Sequence, residues 1–524
     1  MLAGVLAVVS TYLTFSGTFD EPKNLAAGME WLSAGRYTYD PQQPPLGRIA
    51  AAIGPTLQGE RWQATPSPLD DEGAKLLGRG PHYRTTLALA RFGELPFLLL
   101  LCGIVWLWGR RLTDERGAAI AVLLTTTNPN VLAHAGLATT DIALTATLTA
   151  ALFAYVAWFE RPVWWRSALL GLGLAAAVVS KFSALGFFVV AMLGIWLARR
   201  VGTQRTPIWS EGAGWRGPLA AAIALIVAGI VVWGIYRFDV GPLVDGSTFA
   251  MPAPQFLRGI VTFVRRGASA SPAFLLGELS ADGWWYYFPV ALLVKTPLPL
   301  LLLSVIGAGV AVRALVRHDT WQLASLVVAV AAILGVAAAA QVDTGVRLVL
   351  PVYPLLALLG AVGAVELWER GAATVPARRL VRSAVVATIA GAILVPLRVQ
   401  PDHLAYFNPL AGENPEKILV DSNLDWGQDL YRLGATMKRM RIDSVRVAYF
   451  GSATFDAAGV RNARPFDPTE RPTGWIAASQ TVLAGAWADN SYDWLNELRP
   501  VGRVGASLVL YYVPPKPRRL SARR

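Results

Sequence analysis

Apolar runs of about 20 residues, the length that spans a bilayer as a helix, recur from Leu2 to Leu397 of this chain. Lipid offers no partner to a backbone N–H or C=O, so only helices and closed barrels cross it. A barrel strand alternates apolar and polar residues, whereas these runs are continuous, which predicts helices. Composition agrees: 54% of the residues are hydrophobic and only 16% charged, against about 25% charged in a soluble protein. The expected fold class is a polytopic α-helical membrane protein with about eleven transmembrane helices. They are read at roughly 1–17, 87–109, 117–133, 140–159, 165–181, 182–198, 217–236, 286–312, 322–340, 347–368 and 381–398. The first run is not a cleavable signal by pattern, because it lacks a basic start and an acidic segment follows it.

The net charge of +12 does not mark a nucleic-acid partner. Its arginines fall in short clusters between apolar runs, as membrane topology requires. Arg110, Arg111 and Arg116 follow the second run, Arg161 and Arg166 the fourth, and Arg199, Arg200, Arg205 and Arg216 the sixth. Arg313 and Arg317 follow the eighth, and Arg370, Arg378, Arg379 and Arg382 the tenth. Five loops agree, so the even connectors and the amino terminus face the cytoplasm and the odd connectors face outward. The expected location is the cytoplasmic (inner) membrane. The single cysteine, Cys102, allows no intrachain disulfide and no cysteine-rich metal site.

The outward connectors carry the chemistry. The first, 18–86, holds Asp20 and Glu21, then Pro44-Pro45, and Gly47–Leu57 reads as an amphipathic interfacial helix. The chain divides into a membrane domain, 1–398, and an outward C-terminal α/β domain, 399–524, ending in a basic tail. Within the latter, Ile418–Val420, Val445–Phe450, Trp475–Ala478 and Ala506–Val513 read as strands and Trp426–Met440 as a helix.

Asp20, Glu21, Asp141, Lys181, Lys295 and Arg347 all fall at outer membrane depth, with Arg84 and Arg91 leading into the second run. A charge within a span costs about 2.5–3.5 kcal/mol on insertion scales, so such residues usually serve a site or pathway. Long cations can instead snorkel to the interface, a bland reading that suits Lys295, Arg84 and Arg91 better than the short Asp20 and Asp141. Carboxylates beside cations suit glycosyl transfer from a lipid phosphate. A carboxylate takes the proton of the attacking hydroxyl, and a cation meets the charge growing on the leaving phosphate. The same charges also suit a transport pathway, or a membrane scaffold in which they are dispensable.

The ordered motifs carry a resemblance. Asp20-Glu21 after the first run, Pro44-Pro45-Leu46, Asn128-Pro-Asn-Val-Leu-Ala-His134 leading to Thr140-Asp141, and Lys181 at a helix end resemble the GT-C membrane glycosyltransferases. Within them the chain is similar to glycosyltransferase family 39, the protein O-mannosyltransferases, and to the bacterial aminoarabinose-lipid A transferases. Gly283–Pro289, Lys295-Thr-Pro297, Gly345-Val-Arg347, Tyr406-Phe-Asn408 and Asp421–Asp429 look like a bacterial subgroup. The resemblance implies a GT-C fold and a polyprenyl-phosphate-linked sugar donor. The acceptor would be a hydroxyl of protein, lipid or glycan. It implies Asp20 as general base, Glu21 orienting acceptor or base, Asp141 as the second acid, and Lys181 on the donor phosphate. Arg347, Arg91 and Lys295 are further candidates for that anion.

Other residues admit two readings. Asp141 is also a helix N-terminal acid favoured by the helix dipole, with Thr139 or Thr140 as cap. His134 is a candidate sugar contact, though an isolated histidine lacks ligand spacing and reads more simply as structural. Asp421, Asn423 and Asp425 are candidate acceptor contacts, while Asn423 or Asp425 can equally cap the following helix and Trp426 pack on the sheet. Trp285 and Tyr286 either stack on a sugar or belong to the interfacial aromatic belt. No cofactor is required; a divalent ion held by Asp20, Glu21 and Asp141 is compatible with the residue types.

Overall fold

The computed structural model describes residues 1–62, 73, 77, 82–203, 216–244, 248–267, 272–318, 320–371, 374–486 and 492–515. Arg205 and the basic tail from 516 onward lie outside the described residues.

Among the described residues, eight helices are long and apolar enough to cross a membrane. They are Tyr83–Leu112, Thr140–Glu160, Ser183–Gly202, Gly217–Ile235, Leu298–Val316, Gln322–Ala339, Val352–Arg370 and Val375–Val399. The other three expected runs are helical but shorter. Residues 1–17 yield Leu2–Val9, 117–133 yields Glu115–Thr126 and then Pro129–Ala135, and 165–181 yields Trp164–Ser180. The single run expected at 286–312 is two helices, Tyr287–Lys295 and Leu298–Val316. Pro297 lacks an N–H and pushes Thr296 into an extended conformation (ψ 133°), which stops the helix at Lys295. The division near 181 is a true break: Lys181 is extended (φ −161°, ψ 134°) after Trp164–Ser180.

Between the first helix and Tyr83, Glu21–Ala34 packs on Leu46–Gln58. A Cβ on Gly28 would collide with the Arg48 carbonyl, so glycine lets these two backbones meet. The second helix buries Gly47, Arg48, Ala51 and Ala52 and leaves Ile53 and Leu57 exposed, as the amphipathic reading expects.

The C-terminal domain is a five-stranded sheet in the order Ala463–Pro465, Val445–Ala448, Gly474–Ser479, Leu508–Val513, Gly502–Val504. The first two pairings are parallel and the last two antiparallel, with Arg446 opposite Ile476 and Ala477 opposite Leu510. Three of the four expected strands are present. Ile418–Val420 is instead irregular backbone, and two short edge strands were not foreseen. The helix begins at Leu430, not Trp426, and its cap is Asp429 rather than Asn423 or Asp425. The stretch from Asp421 to Gln428 divides its hydrogen bonds between the membrane domain (Thr344, Val346, Lys295) and its own domain (Thr481, Tyr449). Ser16 N–H donates to the Gln428 carbonyl at 3.0 Å and Phe19 N–H to that of Trp426 at 3.0 Å. The sheet domain thereby seats Trp426 directly on the segment that leads to Asp20.

Candidate active site

Arg347 is the hub. Its Nη1 lies 3.0 Å from Asp20 Oδ2 and 3.8 Å from Asp141 Oδ2, and its Nε donates to Ser422 Oγ at 3.1 Å. The guanidinium lies 4.3 Å from the centroid of the Trp426 ring, a cation–π shelf. Asp421 adds a third carboxylate within electrostatic reach. Local backbone puts the arginine there. Gly345 has φ +153°, and a Cβ would collide with Ser422 Oγ, so glycine alone lets the loop before Arg347 lie against the C-terminal domain. Ser422 in turn donates to the Thr344 carbonyl at 2.6 Å.

Asp141 is buried, with Oδ1 accepting from Lys181 Nζ at 2.6 Å. Thr139 caps its helix through the backbone, and its hydroxyl donates to Asp141 Oδ2 at 3.1 Å. The helix break at Lys181 aims that side chain from the end of Trp164–Ser180 at the start of Thr140–Glu160. His134 Nδ1 stands 3.9 Å from Asp141 Oδ2 and the ring meets Trp426 edge-on. Asp20 differs from Asp141 in access: its side chain is 33% exposed against 1%. The structure therefore brings Asp20, Asp141, Lys181, Arg347 and His134 into one network, with Asp421 at its edge.

Other candidates lie elsewhere. Glu21 and Arg91 are both fully buried and form a two-point ion pair, Nε–Oε1 2.8 Å and Nη2–Oε2 2.8 Å. Arg91 spends its remaining N–H groups on the carbonyls of Tyr12, Phe15 and Ser16. Glu21 also accepts from the N–H groups of Thr18 and Ala138. Burial alone would raise the Glu21 carboxyl, but Arg91 and these N–H groups hold it below the usual carboxylate range. Neither group has a bonding direction left for substrate, contrary to the roles the sequence suggested. For the same reason Asp20, Glu21 and Asp141 do not form one ligand set for a divalent ion. Removing one partner of a buried pair strands the other charge at a cost of about 3–5 kcal/mol. Glu21→Gln should therefore lower the thermal unfolding midpoint sharply, and Glu21→Gln/Arg91→Met should recover only part of it, because three carbonyls lose their donor. A Glu21→Gln protein as stable as the parent would refute this.

Lys295 is likewise internal: Nζ donates to the carbonyls of Leu404 (2.8 Å) and Asn423 (2.5 Å) and sits over Phe407. Asn423 is a joint between domains, accepting from Val346 N–H and donating to Tyr287 Oη. Asp425 accepts from the N–H groups of Gly427 and Thr481. Trp285 is exposed, and Tyr286 packs against it and the membrane core.

Burial pushes Asp425 up to about 7 despite its N–H donors, and the Asp429 charge adds to the rise. The folded state then holds a proton that the unfolded state has released above about 4. Stability should fall as pH rises from about 4 to about 7 and level off above. Asp425→Asn should flatten that slope in a pH series of unfolding midpoints; an unchanged slope would assign it to another group.

Glu94 escaped the sequence reading. It is fully buried at the break between Tyr83–Phe92 and Leu95–Leu112, with neither carboxylate oxygen hydrogen-bonded among the described residues. It lies beside Gly47, which itself abuts the backbone of Thr140, one residue from Asp141. An acid three residues after Arg91 within an apolar run was the available signal.

Residues 73–235 match the family model described as dolichyl-phosphate-mannose-protein mannosyltransferase. Among solved structures, the chain is similar to ArnT from Cupriavidus metallidurans bound to undecaprenyl phosphate. That match has 13% identity and a TM-score of 0.50 and covers 98% of each chain. The chain carries the GT-C fold. It is also similar to the archaeal oligosaccharyltransferase AglB from Archaeoglobus fulgidus in complex with an inhibitory peptide and a dolichol-phosphate. Here the identity is 12% and the TM-score 0.52, with coverage of 98% of this chain and 74% of that one. No curated protein matches the sequence. A multi-pass membrane protein of GT-C fold thus holds its acids and cations where four breaks in the helical pattern converge, before Glu21, before Thr140, after Ser180 and before Val352.

Proposed function

We propose that this chain is a glycosyltransferase that moves one sugar from a polyprenyl phosphate to an acceptor hydroxyl. The observation that carries the reading is Arg347 held between Asp20 and Asp141, with Lys181 on the far side of Asp141. A solvent-accessible carboxylate and two cations are thereby assembled at one point. The family match and the ligands named for the two solved relatives favour a lipid-phosphate donor over other anions.

In the step itself, the acceptor oxygen forms a bond to the anomeric carbon as the bond from that carbon to the phosphate oxygen breaks. Asp20 takes the hydroxyl proton, and Lys181 and Arg347 face the charge left on the phosphate. A single displacement inverts the anomeric configuration. Asp141 positions the two cations. Glu21, Arg91 and Lys295 are outside the reacting set, because their bonding capacity is spent on the fold. We place the amino terminus in the cytoplasm and the site and sheet domain on the outer face of the cytoplasmic membrane, on the five basic connectors. The acceptor would be a hydroxyl of protein, lipid or glycan.

The test is transfer of label from a panel of polyprenyl-phosphate sugars by the purified protein in vesicles. Transfer of sugar to an acceptor with release of the lipid phosphate supports the reading. Movement of intact donor across the bilayer with no transfer would replace it with lipid transport.

A further inference from the structure

The connector after the span Gly217–Ile235 contains a helix, Pro254–Gly267, that the candidate site does not use. This helix is fastened to the ends of two spans. Phe256 and Phe263 pack on Phe182, with ring centroids 5.8 and 5.9 Å away, and Phe256 also meets Tyr236 at 5.8 Å. Phe182 immediately precedes the span Ser183–Gly202, and Tyr236 immediately follows Gly217–Ile235. Both anchors are span ends, so the helix lies at the boundary of the apolar core, at the end of the bundle that carries Lys181.

At about 100° per residue, the rotation of an α-helix, its side chains fall into three sectors. Phe256, Gly259 and Phe263 share the packed face. Leu257, Ile260, Val261 and Val264 fall together on one flank, where Val261 is 42% and Val264 62% exposed. Arg258, Arg265 and Arg266 fall on the other flank, all exposed, and the helix contains no acidic residue. Arg258 also ties the helix to the preceding hairpin, donating to the carbonyls of Pro242 and Leu243 at 2.8 and 2.9 Å, and Arg266 donates to Gln42 Oε1. An apolar stripe bordered by arginines is the pattern of a helix that lies in a membrane interface, with the stripe in the acyl boundary and the basic border among the lipid phosphates.

We propose that Pro254–Gly267 rests in the headgroup layer as a docking surface for anionic phospholipid, with Leu257, Ile260, Val261 and Val264 toward the acyl chains and Arg265 and Arg266 toward the phosphates. Its attachment commits it to lipid rather than to a protein partner, because the two span ends already hold it at headgroup depth. Its charge then favours anionic lipid, since basic residues at a membrane surface are drawn to a negative leaflet. Phe182 follows Lys181, so the docked helix holds the headgroup layer level with that lysine. The proposal stands apart from the reading of the donor site and does not need it.

The experiment attaches a fluorophore to the full chain at Val261→Cys, Val264→Cys or Thr262→Cys in a Cys102→Ala background. Each protein is reconstituted in vesicles of phosphatidylcholine and phosphatidylglycerol with bromine on the acyl chains as quencher. Labels at positions 261 and 264 should be quenched about threefold more than the label at 262, because the apolar flank of an interfacial helix enters about 5–10 Å into the headgroup–acyl boundary and Thr262 lies on the basic side. With bromine on one lipid at a time, quenching at position 264 should show phosphatidylglycerol enriched about fivefold over phosphatidylcholine, what a single basic residue contributes at an anionic surface. Arg265→Gln/Arg266→Gln should abolish that enrichment and leave quenching by total lipid in place. Weak and equal quenching at all three positions overturns membrane docking and leaves the face to a water-soluble partner. Strong quenching at 261 and 264 with no preference for phosphatidylglycerol overturns the assignment to anionic lipid. If Cys102→Ala fails to fold, the parent chain serves as background, because its one thiol is buried.

Discussion

Asp20→Asn should lower sugar transfer at least about a hundredfold, the smaller end of what general-base catalysis contributes. The substitution keeps the size of the side chain and a hydrogen bond to Arg347, but removes the proton acceptor. Asp20 is the carboxylate suited to this task by access. Its side chain is 33% exposed, whereas Asp141 is buried and committed to Lys181 at 2.6 Å. Its neighbour Glu21 cannot take over, since both its oxygens are held by Arg91 and backbone N–H groups. The loss should therefore fall on turnover, with donor binding little changed and the unfolding midpoint within about 2 °C of the parent, as for a surface substitution. Transfer at the parental rate by Asp20→Asn would remove Asp20 from the mechanism.

Arg347→Gln should cost about 10²–10³ in turnover, the range for removing one donor from a developing anion. It should also weaken donor binding, which Asp20→Asn should not. Arg347→Lys should recover only part of the loss. Lysine keeps the charge but not the planar fork that reaches Asp20, Asp141 and Ser422 together, nor the stacking on Trp426. The matching variant is Trp426→Leu, which leaves the hydrogen-bonding groups around Arg347 in place and removes its shelf together with the edge contact to His134. An Arg347→Gln enzyme with parental turnover and donor affinity would show that the phosphate is held elsewhere, with Lys181 the first alternative.

The membrane fold was legible because hydrophobicity and the need to satisfy backbone groups in lipid act residue by residue along the chain. Pro297 broke a run that hydropathy had joined, an effect of one ring on two dihedrals that a window average cannot see. The small C-terminal sheet was legible where strands are long and apolar, at Gly474–Ser479 and Leu508–Val513. It was misread at Ile418–Val420, an apolar triplet that packs against the membrane domain rather than pairing.

By itself the sequence determined that this chain crosses a membrane many times and keeps acids and cations near one end of its helices. Only the tertiary structure decided what each charge does. Asp20 and Glu21 are adjacent and chemically alike, yet Glu21 pairs with Arg91, 70 residues away, and Asp20 with Arg347, 327 residues away. Insertion into lipid is governed by local composition, but the use of a charge is governed by which opposite charges and N–H groups the fold brings within about 3 Å. That distance has no counterpart along the sequence, so the same two letters yield one residue sealed into the fold and one left open to react.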